Sequence, residues 1–200
     1  MNWSRAQLSQ LIQQALVDSV PAITSTSQKR AAVLLPLVWH EQAWYLLYIK
    51  RAENPHDIHS GQIAFPGGIA RADETPLQTA LRETQEEIGV LPEAIEVLAC
   101  LPSMLSITGV QVTPVIGILE WPQTFVLQTT EVSRTLIMPL QWLRQAENYE
   151  MKPRVSPVSS VSNEAVATLR AQLVYYRDYE GERLWGLTAR MTQDLLALLS

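Results

Sequence analysis

The stretch from Gly68 to Val90, GIARADETPLQTALRETQEEIGV, constrains this chain more than any other part of it. It reads as a loop running into a helix whose two ends are both marked. Thr75 and Gln78 have the spacing of a capping box, and Pro76 stands between them at the first helical position. Leu77, Ala80, Leu81, Thr84 and Ile88 recur at helical spacing and predict a core-facing stripe. Gly89 stands where a C-terminal cap is expected. Glu83, Glu86 and Glu87, at i, i+3 and i+4, fall within about 100° of one another and share a face. The helix is therefore expected to pack on one side and to present carboxylates on the next.

Left alone, that acidic face is unfavourable. Like charges four residues apart cost roughly 0.2–0.5 kcal/mol per pair. Acids in the last turn also face the negative end of the helix dipole, at about 0.3–1 kcal/mol each. A divalent cation reverses both penalties, and an all-oxygen donor set suits Mg²⁺ or Mn²⁺, which keep water and substrate phosphate in their shell. Arg82 can pair with Glu86 one turn on or reach back to Glu74, and either contact would hold a carboxylate in place.

The spacing is Gly68, five residues, Glu74, seven residues, Arg82-Glu83, two residues, Glu86-Glu87, one residue, Gly89 and an apolar residue. This resembles the box of the Nudix hydrolases. It departs only at Thr84, where the family prefers an aliphatic residue or alanine. Upstream, Gly61-Gln62-Ile63-Ala64-Phe65-Pro66-Gly67-Gly68 is similar to the motif of the coenzyme A pyrophosphatase branch. Ahead of it the chain departs from the branch pattern: Tyr48 stands where threonine is usual, Ala52 follows Arg51, and about one extra residue precedes His59. Lys50 and Arg51 are thus alternative matches to the branch arginine. Further similarity runs through Lys29–Val33, Val112–Val115, Glu131-Val132, Met138–Leu140 and Leu184–Ala189, so that it spans roughly residues 29–198.

The resemblance implies an α/β fold, a Nudix-type α/β/α sandwich with a mixed β-sheet. It implies metal-dependent hydrolysis of the diphosphate of coenzyme A or acyl-CoA, giving 3′,5′-ADP and 4′-phosphopantetheine or its acyl form. The metal ligands it implies are Glu83, Glu87 and Glu86, with the backbone carbonyl of Gly68. Arg82 joins these glutamates as a catalytic residue, and Glu74 is expected to orient it. Arg30, Arg51, Phe65, Gly67 and Gly68 are the expected substrate contacts, with Phe65 set against core packing as a stacking surface for adenine. Lys50 and Arg71 are further candidate phosphate contacts. Glu86 and Glu131 are both candidates for the general base. Two other readings stand beside this one: a Nudix pyrophosphatase for another nucleoside diphosphate derivative such as ADP-ribose, and a binding module that has kept the fold without the chemistry.

A net charge of −5 argues against a nucleic-acid partner and requires that an anionic substrate be drawn in locally. The longest apolar run, Ala31 to Trp39, is too short for a membrane span, and no signal-like segment opens the chain. Cys100 is the only cysteine, which fits a reducing cytoplasm and a core residue rather than a nucleophile. A homodimer is the commonest assembly for a soluble enzyme. His56 and His59 lack supporting ligands for zinc. Ser103, Ser106 and Thr108 lack a nucleophile-elbow setting.

Periodicity predicts a helix over Ser4–Val20 and a loop over Pro21–Gln28, so residues 1–28 should form a helix and loop packed on a domain of residues 29–200. Strands are expected at Ala31–Trp39, Trp44–Lys50, Ile63–Phe65, Ile95–Leu101, Val110–Leu119 and Ser133–Met138, with a short helix at Leu140–Gln145. A hairpin should turn at Glu180–Glu182, and Thr188–Leu199 should close the chain as a helix. Asn148–Asn163, rich in Ser, Val and Pro, reads as a surface insertion or mobile loop.

Overall fold

The structure, a computed structural model, describes residues 3–16, 29–57, 59–153 and 172–199. Its spine is β1 (Arg30–His40), which folds back on β2 (Ala43–Arg51) through Glu41 and Gln42. Both turn residues have positive φ, the geometry of a two-residue hairpin that matches strand twist. On its other edge β1 pairs in parallel with β7 (Gln111–Leu119), which pairs antiparallel with β5 (Ile95–Cys100). β8 (Val132–Pro139) and the two-residue β3 (Ile63–Ala64) pair antiparallel with β2, and the two-residue β6 (Met104–Leu105) pairs antiparallel with β7, so the parallel β1–β7 pair makes the sheet mixed.

One feature of β1 positions the Gly68 loop. Its N-terminal part pairs with β4 (Gly67–Ile69), through Ala31↔Ile69, Ala32↔Gly68 and Val33↔Gly67. Its C-terminal part pairs with β2 from Leu37 onward along the same edge. Pro36, which has no N–H to donate, falls in the interval between these partners. Sequence reading treats Gly67-Gly68 as loop, because two glycines and a proline carry no strand signal. Backbone pairing to β1 makes the segment a strand regardless.

Alternation along β1 separates two cores. Ala32, Leu34 and Val38 face α2 (Pro76–Ile88), together with Leu47, Ile49, Ala80, Ile88 and Val115. Ala31, Leu35 and Leu37 face the opposite side, where α1 (Arg5–Leu16), α4 (Gly186–Leu198) and a second sheet pack. That second sheet is three-stranded and antiparallel, in the order β11 (Glu182–Trp185), β10 (Gln172–Tyr179), β9 (Tyr149–Pro153). α3 (Leu140–Leu143) follows β8 directly.

Several expectations need correction. β9 lies inside the stretch expected to be loop: Tyr149–Pro153 pairs with Gln172–Tyr176, a register that local sequence does not encode. The rest of that stretch, and the expected Pro21–Gln28 loop, fall outside the described residues. α1 begins as expected, with a reciprocal Ser4–Gln7 cap, and buries Leu8 and Ile12. It is described only to Leu16, so the remainder of the expected helix to Val20 is also outside. On α2, Leu77 is exposed, and the fully buried positions are Thr79, Ala80, Thr84, Glu87 and Ile88. The buried stripe is thus rotated from the expected one toward the acids.

Candidate active site

α2 has the ends its sequence specifies. Thr75 Oγ1 accepts from Gln78 N at 3.2 Å, and the Gln78 side chain accepts from Thr75 N at 2.9 Å. Gly89 caps the C-terminus at φ 73°, where any Cβ would lie 2.8 Å from Val126 Cβ. The last carbonyls, left open by every helix end, are met by a loop far along the chain. Val126 N donates to Ile88 O at 3.1 Å and Gln128 N to Glu87 O at 2.9 Å.

Arg82 organises the polar face. Its guanidinium donates to Glu74 through Nε at 2.6 Å and Nη2 at 2.9 Å. It also reaches Glu83 at 2.7 Å, Glu86 at 3.0 Å and Ile69 O at 3.2 Å. Glu74 takes Arg71 N and Thr79 Oγ1 besides. The arginine, and after it the Arg71 N–H, hold the Glu74 carboxyl down at about 2. The Arg82 pKa is raised in turn, first by Glu74. Glu74 does orient Arg82, and the alternative of Arg82 serving Glu86 is realised at the same time.

Glu87 behaves differently. It is 2% exposed, and one of its oxygens accepts from Gly67 N at 2.9 Å. Burial pushes its pKa up to about 7; the Gly67 N–H opposes this, nearby Glu83 adds to it, Arg51 opposes it and Glu131 adds to it. The Glu83 carboxylate lies against the backbone of Gly68, where a Cβ would sit 2.6 Å from its carboxyl carbon. Gly67 is equally tight: a Cβ there would stand 2.3 Å from Ala32 O. The glycine pair lets strand β4 pass directly under the acidic turn.

The substrate candidates separate by strand face. Lys50 Nζ turns to Glu182 at 2.7 Å, on the side of the second sheet. Arg51 pairs with Asp57 at 2.7 Å and is the cation whose charge reaches Glu87. Of the two alternative matches, Arg51 is therefore the one at the acidic helix. Arg30 donates to Ala72 O at 3.0 Å, over the loop that leads into α2. Phe65 is a correction. It is buried at 3% exposure and stacked on Tyr48 at 4.7 Å between centroids, so its ring is committed to the core rather than offered to a base. Glu131 is exposed, in the turn that immediately precedes β8, within electrostatic reach of Glu87.

Other sequence candidates have ordinary roles. His59 Nδ1 pairs with Gln62 Oε1, and the His56 N–H donates to Asn54. Ser103 bonds Thr113 and Ser106 bonds Thr108, hydroxyl to hydroxyl. Cys100 is partly buried, and burial raises its thiol pKa away from reactivity. A cleft of about 470 Å³ walled by Trp3, Trp39, Trp44 and Trp121 lies elsewhere. Trp39 is seven residues along β1 from the residue paired with Gly68, about 23 Å away.

The sequence profile of the NUDIX domain matches residues 28–166. The chain belongs to the Nudix hydrolase family. This Nudix chain is 35% identical to the uncharacterized Nudix hydrolase NudL of Pectobacterium atrosepticum over 174 residues, 86% of this chain and 84% of that protein. It is 36% identical to the protein of that name in Klebsiella pneumoniae over 181 residues, 90% of this chain and 88% of the relative. The crystal structure of a Nudix hydrolase from M. smegmatis, RenU, covers 57% of this chain and 72% of its own, with 26% identity and a TM-score of 0.49. The mixed sheet flanked by helices is the Nudix fold. The activity class is hydrolysis of a phosphoric anhydride in a nucleoside diphosphate derivative.

Nudix enzymes use divalent metals. Among the described residues, no three His, Cys, Asp or Glu side chains converge into a ready cage. Arg82 stands on both Glu83 and Glu86. Two features nonetheless suit a hard cation. The buried Glu87 carboxyl has one backbone donor and an ionisation cost that a cation would remove. The Gly68 backbone is open to close approach beside Glu83. The donor set fits Mg²⁺ or Mn²⁺ once Arg82 yields part of its hold.

Proposed function

We propose that this Nudix hydrolase is a cytoplasmic coenzyme A pyrophosphatase that cleaves CoA or acyl-CoA to 3′,5′-ADP and (acyl-)4′-phosphopantetheine. The observation that carries the reading is the Gly61–Gly68 segment. It resembles the motif of that branch, and it runs through β3 into β4 directly beneath the acidic turn of α2. Glu83, Glu86, Glu87 and the Gly68 carbonyl would hold Mg²⁺ or Mn²⁺. When bound, the ion supplies Lewis acidity toward the phosphoryl oxygens and makes water a nucleophile near neutral pH. Glu74 holds Arg82, and Arg82 stands on Glu83 and Glu86, a hold it would yield in part to the ion. Arg51, whose charge acts on Glu87, and Arg30, over the loop that leads into α2, would bind the substrate's phosphates. Of the two candidate bases we favour Glu131 for accepting the water's proton, because Glu86 is occupied by two arginines.

The test is incubation of the purified protein with CoA and Mg²⁺ or Mn²⁺, following 3′,5′-ADP by chromatography. Turnover is expected, with a fall of about 10²–10³ or more for Glu83→Gln. If wild type and Glu83→Gln release product equally, the reading fails. Preference for ADP-ribose over CoA in the same assay would transfer the site to a different diphosphate.

A further inference from the structure

Glu86 has each of its oxygens on a different arginine. Arg82 Nη1 meets Oε2 at 3.0 Å, and Arg71 Nη2 meets Oε1 at 3.1 Å. The two arginines are not equivalent. Arg82 is 17% exposed and is fixed by Glu74, Glu83 and the Ile69 carbonyl. The Arg71 side chain is 66% exposed, and Glu86, half-exposed itself, is its ion-pair partner. Such a pair is worth little against solvent and salt. The backbone of Arg71, in contrast, is pinned. Its N–H donates to Glu74 Oε2 at 2.9 Å, the oxygen that also takes Thr79 and Arg82. The loop thus fixes where Arg71 starts and leaves its guanidinium weakly held beside the acidic turn.

Resting on the divalent-dependent reading above, we propose that Arg71 is an exchangeable cation. It neutralises Glu86 while the acidic turn lacks its divalent ion, and it transfers to the substrate's diphosphate once that ion binds. A dication held by Glu86 would make the guanidinium contact redundant and repulsive. A diphosphate bound beside Arg71 would offer paired oxygens that its guanidinium can grip with two N–H groups. A chain of net charge −5 needs such local attraction for an anion. Arg71 is one of the five residues between Gly68 and Glu74 that the box spacing leaves unspecified.

The proposal separates affinity for the metal from affinity for the diphosphate, and moves them in opposite directions. The metal-free protein is titrated with Mn²⁺ by calorimetry; the Mn²⁺-loaded protein is then titrated with methylenediphosphonate, which cannot be hydrolysed. Arg71→Ala is expected to bind Mn²⁺ two- to fivefold more tightly, because a competitor for Glu86 is gone. It is expected to bind methylenediphosphonate about tenfold more weakly, and Arg71→Lys should recover part of that loss. Arg5→Ala is the control: it removes another exposed ion pair, Arg5–Glu96 at 2.7 Å on the opposite side of the sheet, and should leave both affinities unchanged. Unchanged or weaker Mn²⁺ binding by Arg71→Ala, or unchanged diphosphonate binding, overturns the proposal. If CoA is not the substrate, wild type fails to turn it over while both shifts persist, so the two failures are distinguishable.

Discussion

The two faces of the central sheet bury polar groups in opposite ways. On the face covered by α1, α4 and the second sheet, the buried polar groups are neutral and matched. Tyr48 OH pairs with Thr192 Oγ1 at 3.0 Å, Tyr176 OH donates to Leu143 O at 3.0 Å, and the Asn148 amide donates to Trp142 O and to Gln145. On the face covered by α2, Glu87 is buried as deeply but is ionisable, and one backbone N–H is the hydrogen bond it has. The first arrangement is finished by folding itself. The second leaves a charge cost that a proton or a bound cation can offset. This difference teaches where function sits: the face that folding leaves incompletely compensated is the one that carries the chemistry.

The largest effect expected from perturbing this contrast is at Gly67. Its Cβ would meet Ala32 O at 2.3 Å and Val33 Cα at 2.5 Å, both of them backbone, at a φ of 152°. Gly67→Ala should destabilise by about 4 kcal/mol or more, read by denaturant unfolding. A loss below about 1 kcal/mol would mean that β4 does not lie so close against β1.

Next comes Glu87. Its folded pKa, near 7, lies above the ordinary carboxylate value, so between about pH 4.5 and 7 the native state binds more protons than the unfolded one. Stability of the metal-free protein therefore falls as pH rises through that window, and the full penalty is present above pH 7. Glu87→Gln keeps an oxygen for Gly67 N and removes the charge. In chelator at pH 8 it should be more stable than wild type by on the order of 3 kcal/mol, with the gap shrinking by pH 5. Saturating Mn²⁺ should stabilise wild type and fail to stabilise the variant. Equal melting of the two proteins at pH 8 would place Glu87 in water rather than in the core.

The smallest effect is on the opposite face. Tyr48→Phe leaves Thr192 Oγ1 its bond to Thr188 O, and should cost about 1 kcal/mol with no dependence on pH between 5 and 8 or on Mn²⁺. A pH-dependent loss would erase the distinction between the faces.

How much of this was legible can be traced residue by residue. The bounds of α2, its Thr75–Gln78 box and its αL Gly89 were all readable, because capping is decided by neighbours within four residues. So were Glu74 and Glu86 as alternative partners of Arg82, since they lie on the same loop and helix; that Arg82 takes both, and Glu83 as well, was not. The depth of Glu87 was not. It depends on β4 passing under α2 and on a loop forty residues further on that closes over the Glu87 and Ile88 carbonyls and leads to Glu131. Phe65 was misassigned for the same reason: its neighbour Tyr48 comes from another strand. Lys50 and Arg51 were indistinguishable as adjacent cations until the sheet sent one to Glu182 and the other toward Glu87.

The sequence by itself determined the helix, its caps, the acids it bears and the family to which they belong, because short-range hydrogen bonding and spacing are written in consecutive residues. Only the tertiary structure decided which acid is buried, which arginine faces it and which aromatic is spent on the core. Burial and electrostatic partnership are set by segments distant in the chain, and no local pattern encodes a dielectric environment.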